Sequence, residues 1–556
     1  MDAIGTLFAK LCMGAGLRVH GTAEFHSVIK GYNSIFQIRV AETPVITHSN
    51  HYDLVLAFDK ETTEEFLRDI VPDGAVIYDP KITEVKRSDI GVFPIPLRDI
   101  AKEKAGLDLA KNIVGLGAVL ALLDYPIDPL KKMLEKQFGR KGQEIVDKNV
   151  AAAQAGYDYA KTNFSKSFGY QLKPIKSEKT FLADGNAITC MGAIKAGVKF
   201  VSEYPMTPSS SVLHFMAKHA RDYNISVNHV EDEIAAMNMA VGAGWAGVRS
   251  MTATSGGGFA LMTEAVSLAG MVEAPVVIFE VQRPGPSTGL PTRTGQGDLR
   301  QILGAGQGDY PRVIMSPGTH EEAFYMAHEA FNLAETYQCP VIVMSEKYLA
   351  EGYVNLPFLD TSYLKVNRGK LLDEKDIQQP FMRYAESADG ISPRTIPGMA
   401  GGAHTSSSYE HREDGYFTEK RDEVTAMHAR RMRKMDTLLA KLPPARLEGK
   451  KNADVTLVCW GATYGPATEA IGWLAKENIV ANLLHIKYLA PFQPGVRELL
   501  ETAKHPILIE GNLSAQLGGL IAEKVGVEIT DKILDWSGRP FTPDQIALEV
   551  LKLIKK

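Results

Sequence analysis

The sequence predicts a multidomain α/β protein. Length asks for it: 556 residues, at roughly 150 residues per domain, fill about three or four domains, each able to bury its own core. Short apolar runs alternate with helical periodicity in three separate stretches, the pattern of βα units. Two polar stretches without periodicity separate those three. A composition of 45% apolar and 23% charged residues is ordinary for globular chains, and a net charge of −5 gives no field that would draw in nucleic acid. The longest apolar run, residues 113–123, is 11 residues with two glycines, short of the roughly 20 that span a bilayer. It reads as a buried helix, and no membrane partner is expected. The start, MDAIGTLFAK, lacks a basic segment followed by an apolar one, so a cytoplasmic location is expected. Cys12, Cys190, Cys339 and Cys459 lie far apart in apolar stretches. They read as reduced core thiols, which leaves no grouped thiolates for an iron–sulfur cluster.

Taken in order, Ile4, Leu7, Phe8 and Leu11 recur at helical spacing and predict an amphipathic helix almost from the first residue. Strands are expected at 36–40, 54–58 and 74–78, with a helix between the last two starting at the capping box Thr62-x-x-Glu65. Strand, helix, strand implies parallel pairing. Residues 107–164 read as helical and end in the polar, basic SKSFGYQLKPIKSEK, which closes a first α/β domain over 1–170. A doubly wound domain over 180–360 follows, its strands 250–254, 276–281 and 341–345 apolar enough to be buried on both faces. Residues 361–450, with DGISPRTIPGMAGGAHTSSS and a charged helix over 421–442, read as a connector that wraps another domain or subunit. Strands 454–460, 479–486 and 506–510 alternate with helices 465–476 and 514–525 in a third α/β domain, 451–556.

The middle domain carries the chemistry. In YPMTPSS, Pro205 and Pro208 stiffen a loop at the C-terminal end of a strand, the edge where open α/β sheets bind ligands. The same residues also suit an ordinary strand-to-helix turn with Ser209 or Ser210 as N-cap. Glu231, Asp232 and Glu233 lead a helix with small residues Ala236, Ala240 and Ala243. Acids in a first turn complement the helix dipole; a carboxylate desolvated against a small-residue face can also bond a ring nitrogen and tune a heterocyclic cofactor. TATSGGGFALM, with Gly256 to Gly258, marks a tight strand-to-helix crossover. As a phosphate site it is weak, lacking a P-loop lysine and dinucleotide spacing. In QRPGPSTGLPTRTGQGDL, Arg283, Arg293, Ser287, Thr288, Thr292 and Thr294 form either a clamp for a small carboxylate or a solvated loop.

In this order, YPMTPSS, EDEIAA, ATSGGGFALM and QRPGPSTGLPTRTGQGDL resemble the pyrimidine-domain motifs of the 2-oxoacid:ferredoxin oxidoreductases. The likeness covers nearly the whole chain: the N-terminal region resembles the family's gamma domain and 451–556 its transketolase-C-like domain. It therefore implies α/β architecture in three parts: a gamma-type domain, a pyrimidine domain of the thiamine-diphosphate-binding fold, and a transketolase-C-like domain. The chain would be a fused gamma–alpha subunit of the 2-oxoglutarate type. By this resemblance Thr207, Arg283 and Thr292 hold the substrate's 2-oxocarboxylate. Glu233 is the catalytic carboxylate on the aminopyrimidine N1′ of thiamine diphosphate, with Glu231 a close competitor. Tyr204, Pro205 and Ser255 lie against the cofactor. The carboxylate favours the imino tautomer, whose nitrogen helps deprotonate the thiazolium C2.

The implied reaction is reversible oxidative decarboxylation of 2-oxoglutarate to succinyl-CoA and carbon dioxide, with coenzyme A as substrate and ferredoxin as electron acceptor. Pyruvate, branched-chain 2-oxoacids and indolepyruvate are alternative substrates. A noncatalytic binding subunit is the alternative from another class, against which the joint presence of Glu233, Thr207 and Arg283 speaks. Two features depart from the family. Met206 stands where Ile is commoner. The chain opens in the helix that would follow the gamma domain's first strand and glycine-rich loop, so that strand is expected to be missing, through a start misassigned upstream or a truncated domain, and no coenzyme A residues are named. The chain also has no GDG with a following Asn pair to hold Mg and the diphosphate, and no cysteine cluster. A beta subunit is therefore expected to bring the diphosphate and Mg site and a [4Fe-4S] cluster, in a heterodimer or heterotetramer with the cofactor at the subunit interface.

Overall fold

The computed structural model describes residues 2–25, 34–164 and 168–555. It divides into two compact units, Met1–Leu182 with Tyr353–Phe358, and Ala183–Gly352 with Leu359–Lys556.

In the first unit the expected N-terminal helix runs over Asp2–Gly14. A three-stranded parallel sheet, Tyr52–Leu56, Ile70–Tyr78 and Gly91–Pro94, contains two of the predicted strands in the predicted parallel sense. The helix between those two strands, Lys60–Leu67, starts earlier than the Thr62 box requires. Asp59 is its cap, and its carboxylate accepts from the Thr62 N–H at 2.8 Å. Thr62 is thus one of the capped donors rather than the cap. A four-stranded sheet of order Ile35–Ala41, Arg18–Glu24, Tyr353–Pro357, Thr180–Asp184 completes the unit. Arg18–Glu24 pairs antiparallel with Ile35–Ala41, from Arg18 opposite Ala41 to Glu24 opposite Ile35. The apolar run is indeed a core helix, Lys111–Leu122, buried at nearly every position. Among the described residues no single helix is long and apolar enough to cross a membrane.

The second unit holds two sheets. The larger has the order Tyr488–Ala490, Val313–Met315, Pro340–Glu346, Val276–Gln282, Ser250–Thr254, Phe200–Glu203, Ser226–His229, and is parallel except at Tyr488–Ala490. Val276–Gln282 is buried at every position, as a central strand with helices on both faces requires. The smaller sheet orders Leu447–Gly449, Ala481–His485, Val455–Cys459, Pro506–Glu510 and Asp531–Leu534. One core runs through both, joining Met237, Phe259 and Ile278 to Trp460, Leu484 and Leu508.

Residues 361–450, expected as an excursion, pack back on this unit. Helix Arg421–Leu439 buries Arg430 and Lys434 completely against Glu273, which lies under the turn after helix Gly256–Met271. Lys434 Nζ donates to Glu273 at 2.6 Å, and Arg430 bonds the other carboxylate oxygen. Burial alone would raise the Glu273 carboxyl, but the charges of Lys434, Arg430 and Arg383 overrule it and hold it below the usual carboxylate range. A second cluster sets Arg249, Arg394 and Arg368 around buried Glu335 at 2.6–2.8 Å. The polar composition of the connector hides these pairings, because each partner lies far away in sequence.

Candidate functional site

Three adjacent strands, Val276–Gln282, Ser250–Thr254 and Phe200–Glu203, end at the same edge of the large sheet, and the loops that follow them carry the motifs. After Phe200–Glu203 comes Tyr204, exposed, then Pro205, Met206 and Thr207, half-buried. Ser209 precedes helix Ser210–Tyr223, but its hydroxyl bonds back to the Met206 carbonyl at 2.7 Å and caps no helical N–H. The loop is pinned from beneath by Asn186, whose Nδ2 donates to the Pro208 carbonyl at 2.9 Å.

Helix Glu233–Trp245 is capped by Asp232, which accepts from the Ala235 N–H at 2.7 Å. That leaves the flanking acids different environments. Glu231 is exposed, whereas Glu233 is 3% exposed and its Oε1 is buried without a hydrogen-bond donor among the described residues. A buried carboxylate oxygen without a partner is costly, and points to a donor supplied from outside the chain.

The glycine turn makes room for it. Ser255 ends the strand in an extended conformation and helix Gly256–Met271 begins at once. A Cβ at Gly258 would come within 2.6 Å of Glu233 Oε1, so only glycine lets the carboxylate lie there. The Ser255 hydroxyl is also buried and has no hydrogen-bond partner among the described residues. Arg283, half-buried at the end of Val276–Gln282, donates Nη1 to the Thr207 carbonyl at 2.6 Å, which ties the first loop to the fourth. Met206 Sδ and the Ser287 carbonyl both lie 3.8–3.9 Å from a Cβ placed at Gly257. Thr207, Arg283, Glu233 and Ser255 thus converge on one glycine turn. Thr292 is buried in the same loop as Arg283, but no hydrogen bond among the described residues ties it to Thr207 or Arg283. Tyr204 faces His229, ring to ring at 6.4 Å.

Buried acids at the strand ends escape a reading by periodicity. Glu203, Glu346 and Glu510 each close a strand at its C-terminal edge, Glu280 lies two residues before the end of its own, and all four are buried. Burial pushes Glu346 up to about 8, although Gln296 donates to it at 2.7 Å and the Ala462 N–H also bonds it. Glu510, pushed up by burial to about 7, accepts from Leu517 N–H at 2.8 Å, Asn512 at 2.7 Å and Trp460 at 3.2 Å. The signal available in the sequence was a glutamate at or near the end of each of four strand-like runs.

Among the described residues no group of three or more His, Cys, Asp or Glu could hold a metal ion, and the four cysteines are buried apart. The orphaned Glu233 oxygen fits a ring nitrogen of an aminopyrimidine that carries a proton, as in its protonated or imino form, and the Ser255 hydroxyl, both donor and acceptor, fits the same polar edge.

Residues 191–431 match the family described as pyruvate flavodoxin/ferredoxin oxidoreductase, thiamine diP-bdg, and residues 1–159 match pyruvate ferredoxin/flavodoxin oxidoreductase. The chain is 32% identical to subunit alpha of 2-oxoacid:ferredoxin oxidoreductase 1 from Sulfurisphaera tokodaii, over all of this chain and 96% of that one. It is 27% identical to the 2-oxoglutarate oxidoreductase subunit KorA of Mycobacterium tuberculosis, over 92% of this chain and 82% of that one. A solved structure of 2-oxoglutarate:ferredoxin oxidoreductase from Magnetococcus marinus, with 2-oxoglutarate, coenzyme A and succinyl-CoA bound, superposes with a TM-score of 0.93 at 32% identity. That alignment covers 99% of this chain and 97% of that chain.

Proposed function

The chain belongs to the family of 2-oxoacid:ferredoxin oxidoreductase alpha subunits and contains its thiamine-diphosphate-binding domain, and from that premise we propose that it serves the oxidative decarboxylation of 2-oxoglutarate to succinyl-CoA. The observation that carries the reading is the buried Glu233 oxygen that no donor of the chain satisfies, in the loop cluster that also holds Thr207 and Arg283. The superposition of nearly the whole chain on the M. marinus structure with 2-oxoglutarate bound favours 2-oxoglutarate among the 2-oxoacids.

In this reading Glu233 would accept a hydrogen bond from N1′ of the pyrimidine in its protonated or imino form, with Tyr204, Pro205 and Ser255 lining the ring. Bound thiamine diphosphate supplies a carbon nucleophile for the ketone and a sink for the electrons left by decarboxylation. The chain's own residues bind and orient. Glu233 is desolvated by the Gly258 turn, so its charge acts in a medium where it is screened little. Arg283 spends one of its five N–H donors on the Thr207 carbonyl and keeps the others for the substrate's carboxylate, with Thr207 and Thr292 beside it. A beta subunit brings the Mg and diphosphate site and the [4Fe-4S] cluster, and passes electrons to ferredoxin, while coenzyme A takes the acyl group. Ile234 and Met239 on the Glu233 helix and Leu261 on the neighbouring glycine-turn helix are exposed apolar side chains. They offer such a subunit a face next to the cofactor site.

The test is an assay of the co-purified subunits with a low-potential acceptor. Reduction that requires both 2-oxoglutarate and coenzyme A is the expected result. Activity with pyruvate alone would overturn the substrate assignment. Gly258→Ala provides a second test: the added methyl must displace the Glu233 carboxylate together with the Thr254 hydroxyl, which lies nearer still. The variant is expected to lose about tenfold or more in cofactor affinity and turnover, since a misplacement of about 1 Å suffices for such losses. Titration with thiamine diphosphate checks it.

A further inference from the structure

One acid pair beside the substrate clamp has no place in the reading above. Glu280, on strand Val276–Gln282 opposite Thr254, is completely buried. Asp298 closes the loop that starts at Arg283 and precedes helix Leu299–Leu303. Asp298 is tied through its N–H to Gln282, two residues past Glu280, and its carboxyl lies against Gly256, two residues past Thr254, so both acids flank the same strand ends and act on each other. Neither Glu280 oxygen, nor Asp298 Oδ2, has a donor among the described residues.

We propose that Glu280 and Asp298 share one proton and act as a positioning pair that keeps the Arg283 guanidinium free for the substrate's carboxylate; this rests on the assignment of Arg283 to that carboxylate.

The geometry supports it in three ways. Two carboxyl groups in contact away from water bond only when one is protonated, because two ionised ones repel strongly there. Burial pushes both carboxyls up, Glu280 well above the usual carboxylate range, while Glu280 and then the Arg283 charge pull Asp298 back down, a difference that favours the proton on Glu280. Glu346, on the neighbouring strand, is the other acid that acts on Glu280. Second, the Asp298 backbone is fixed: its N–H donates to Gln282 Oε1 at 3.1 Å, and Gln301 ties the following helix to the Gly256 carbonyl at 3.0 Å. The side chain can therefore choose only its direction. Its carboxylate lies against Gly256, where a Cβ would stand 2.6 Å from Oδ1. Third, Asp298 feels the Arg283 charge, yet among the described residues no ion pair joins them, and Arg283 instead bonds the Thr207 carbonyl. An anion loose beside a guanidinium in a dry site would pair with it and consume the donors the substrate needs. The protonated Glu280 holds it away.

The test is steady-state kinetics of the assembled enzyme. Glu280→Gln keeps a neutral donor facing Asp298, and its KM for the 2-oxoacid is expected to stay within about twofold of wild type. Glu280→Ala frees Asp298, and KM is expected to rise about tenfold or more with kcat changed less than about threefold. Adding Asp298→Asn to Glu280→Ala removes the competing anion and should restore KM, a coupling that a purely structural role would not produce. Equal impairment of the Gln and Ala variants, an unchanged KM in Glu280→Ala, or no rescue in the double variant would each overturn the pair. If Glu280→Ala does not assemble, Glu280→Gln decides alone: an unchanged KM supports the pair and a raised one overturns it. Arg283→Gln separates the two levels. A raised KM there, with Glu280→Ala unaffected, removes only the positioning pair, whereas an unchanged KM removes the carboxylate assignment and the pair with it.

Discussion

Glu233→Gln is expected to abolish turnover, by roughly 10²- to 10⁴-fold, the range for loss of a positioned proton-handling group, while the subunit still folds and assembles. The amide is isosteric and fits the space that Gly258 leaves open, so thermal stability and co-purification with the partner should match wild type. What it loses is the negative charge that makes the aminopyrimidine a better proton acceptor. Glu231→Gln is the control. That carboxylate is exposed and lies outside the helix, so turnover should be unchanged. A loss in Glu231→Gln with full activity in Glu233→Gln would exchange their roles.

Glu273→Gln should have the largest effect on stability, about 3–5 kcal/mol, because it leaves Arg430 and Lys434 buried without their counter-charge. Both cations are fully buried and belong to helix Arg421–Leu439. That helix should therefore lose amide protection first, which hydrogen exchange and chemical unfolding read together. The pH sign follows from the lowered carboxyl. Its stabilising contribution is complete above the ordinary glutamate value of 4.5 and is lost only as pH falls through the lowered one. Replacing Glu273, Arg430 and Lys434 together by apolar residues of similar size should recover much of the loss, since of the charges around Glu273 only Arg383 then remains. A Glu273→Gln protein as stable as wild type would show that the cluster is not what holds the connector.

Much of the second unit was legible in the sequence because its strands are buried on both faces and read as plain apolar runs, as in residues 276–281. The first unit was less so. Arg18–Glu24 mixes polar residues into a strand that is buried at five consecutive positions, and Tyr353–Pro357 pairs with it from more than 300 residues away. Neither periodicity nor propensity sees such a partner. At the site, the loops could be placed from their motifs, but the choice between Glu231 and Glu233 needed the helix start. Once Asp232 takes the capping role, the next residue turns inward and the previous one stays in water. The acid pair Glu280–Asp298 and the ion cluster at Glu273 were illegible for a common reason: each is a set of charges brought together by tertiary packing alone.

The proton-handling role of Glu233 can be measured without relying on turnover, through the rate at which deuterium replaces the C2 proton of the bound thiazolium in the assembled enzyme. With the wild-type chain that exchange should be fast, and in Glu233→Gln it should fall by about 100-fold or more. Equal exchange rates in the two proteins would contradict the assignment of Glu233 to the aminopyrimidine.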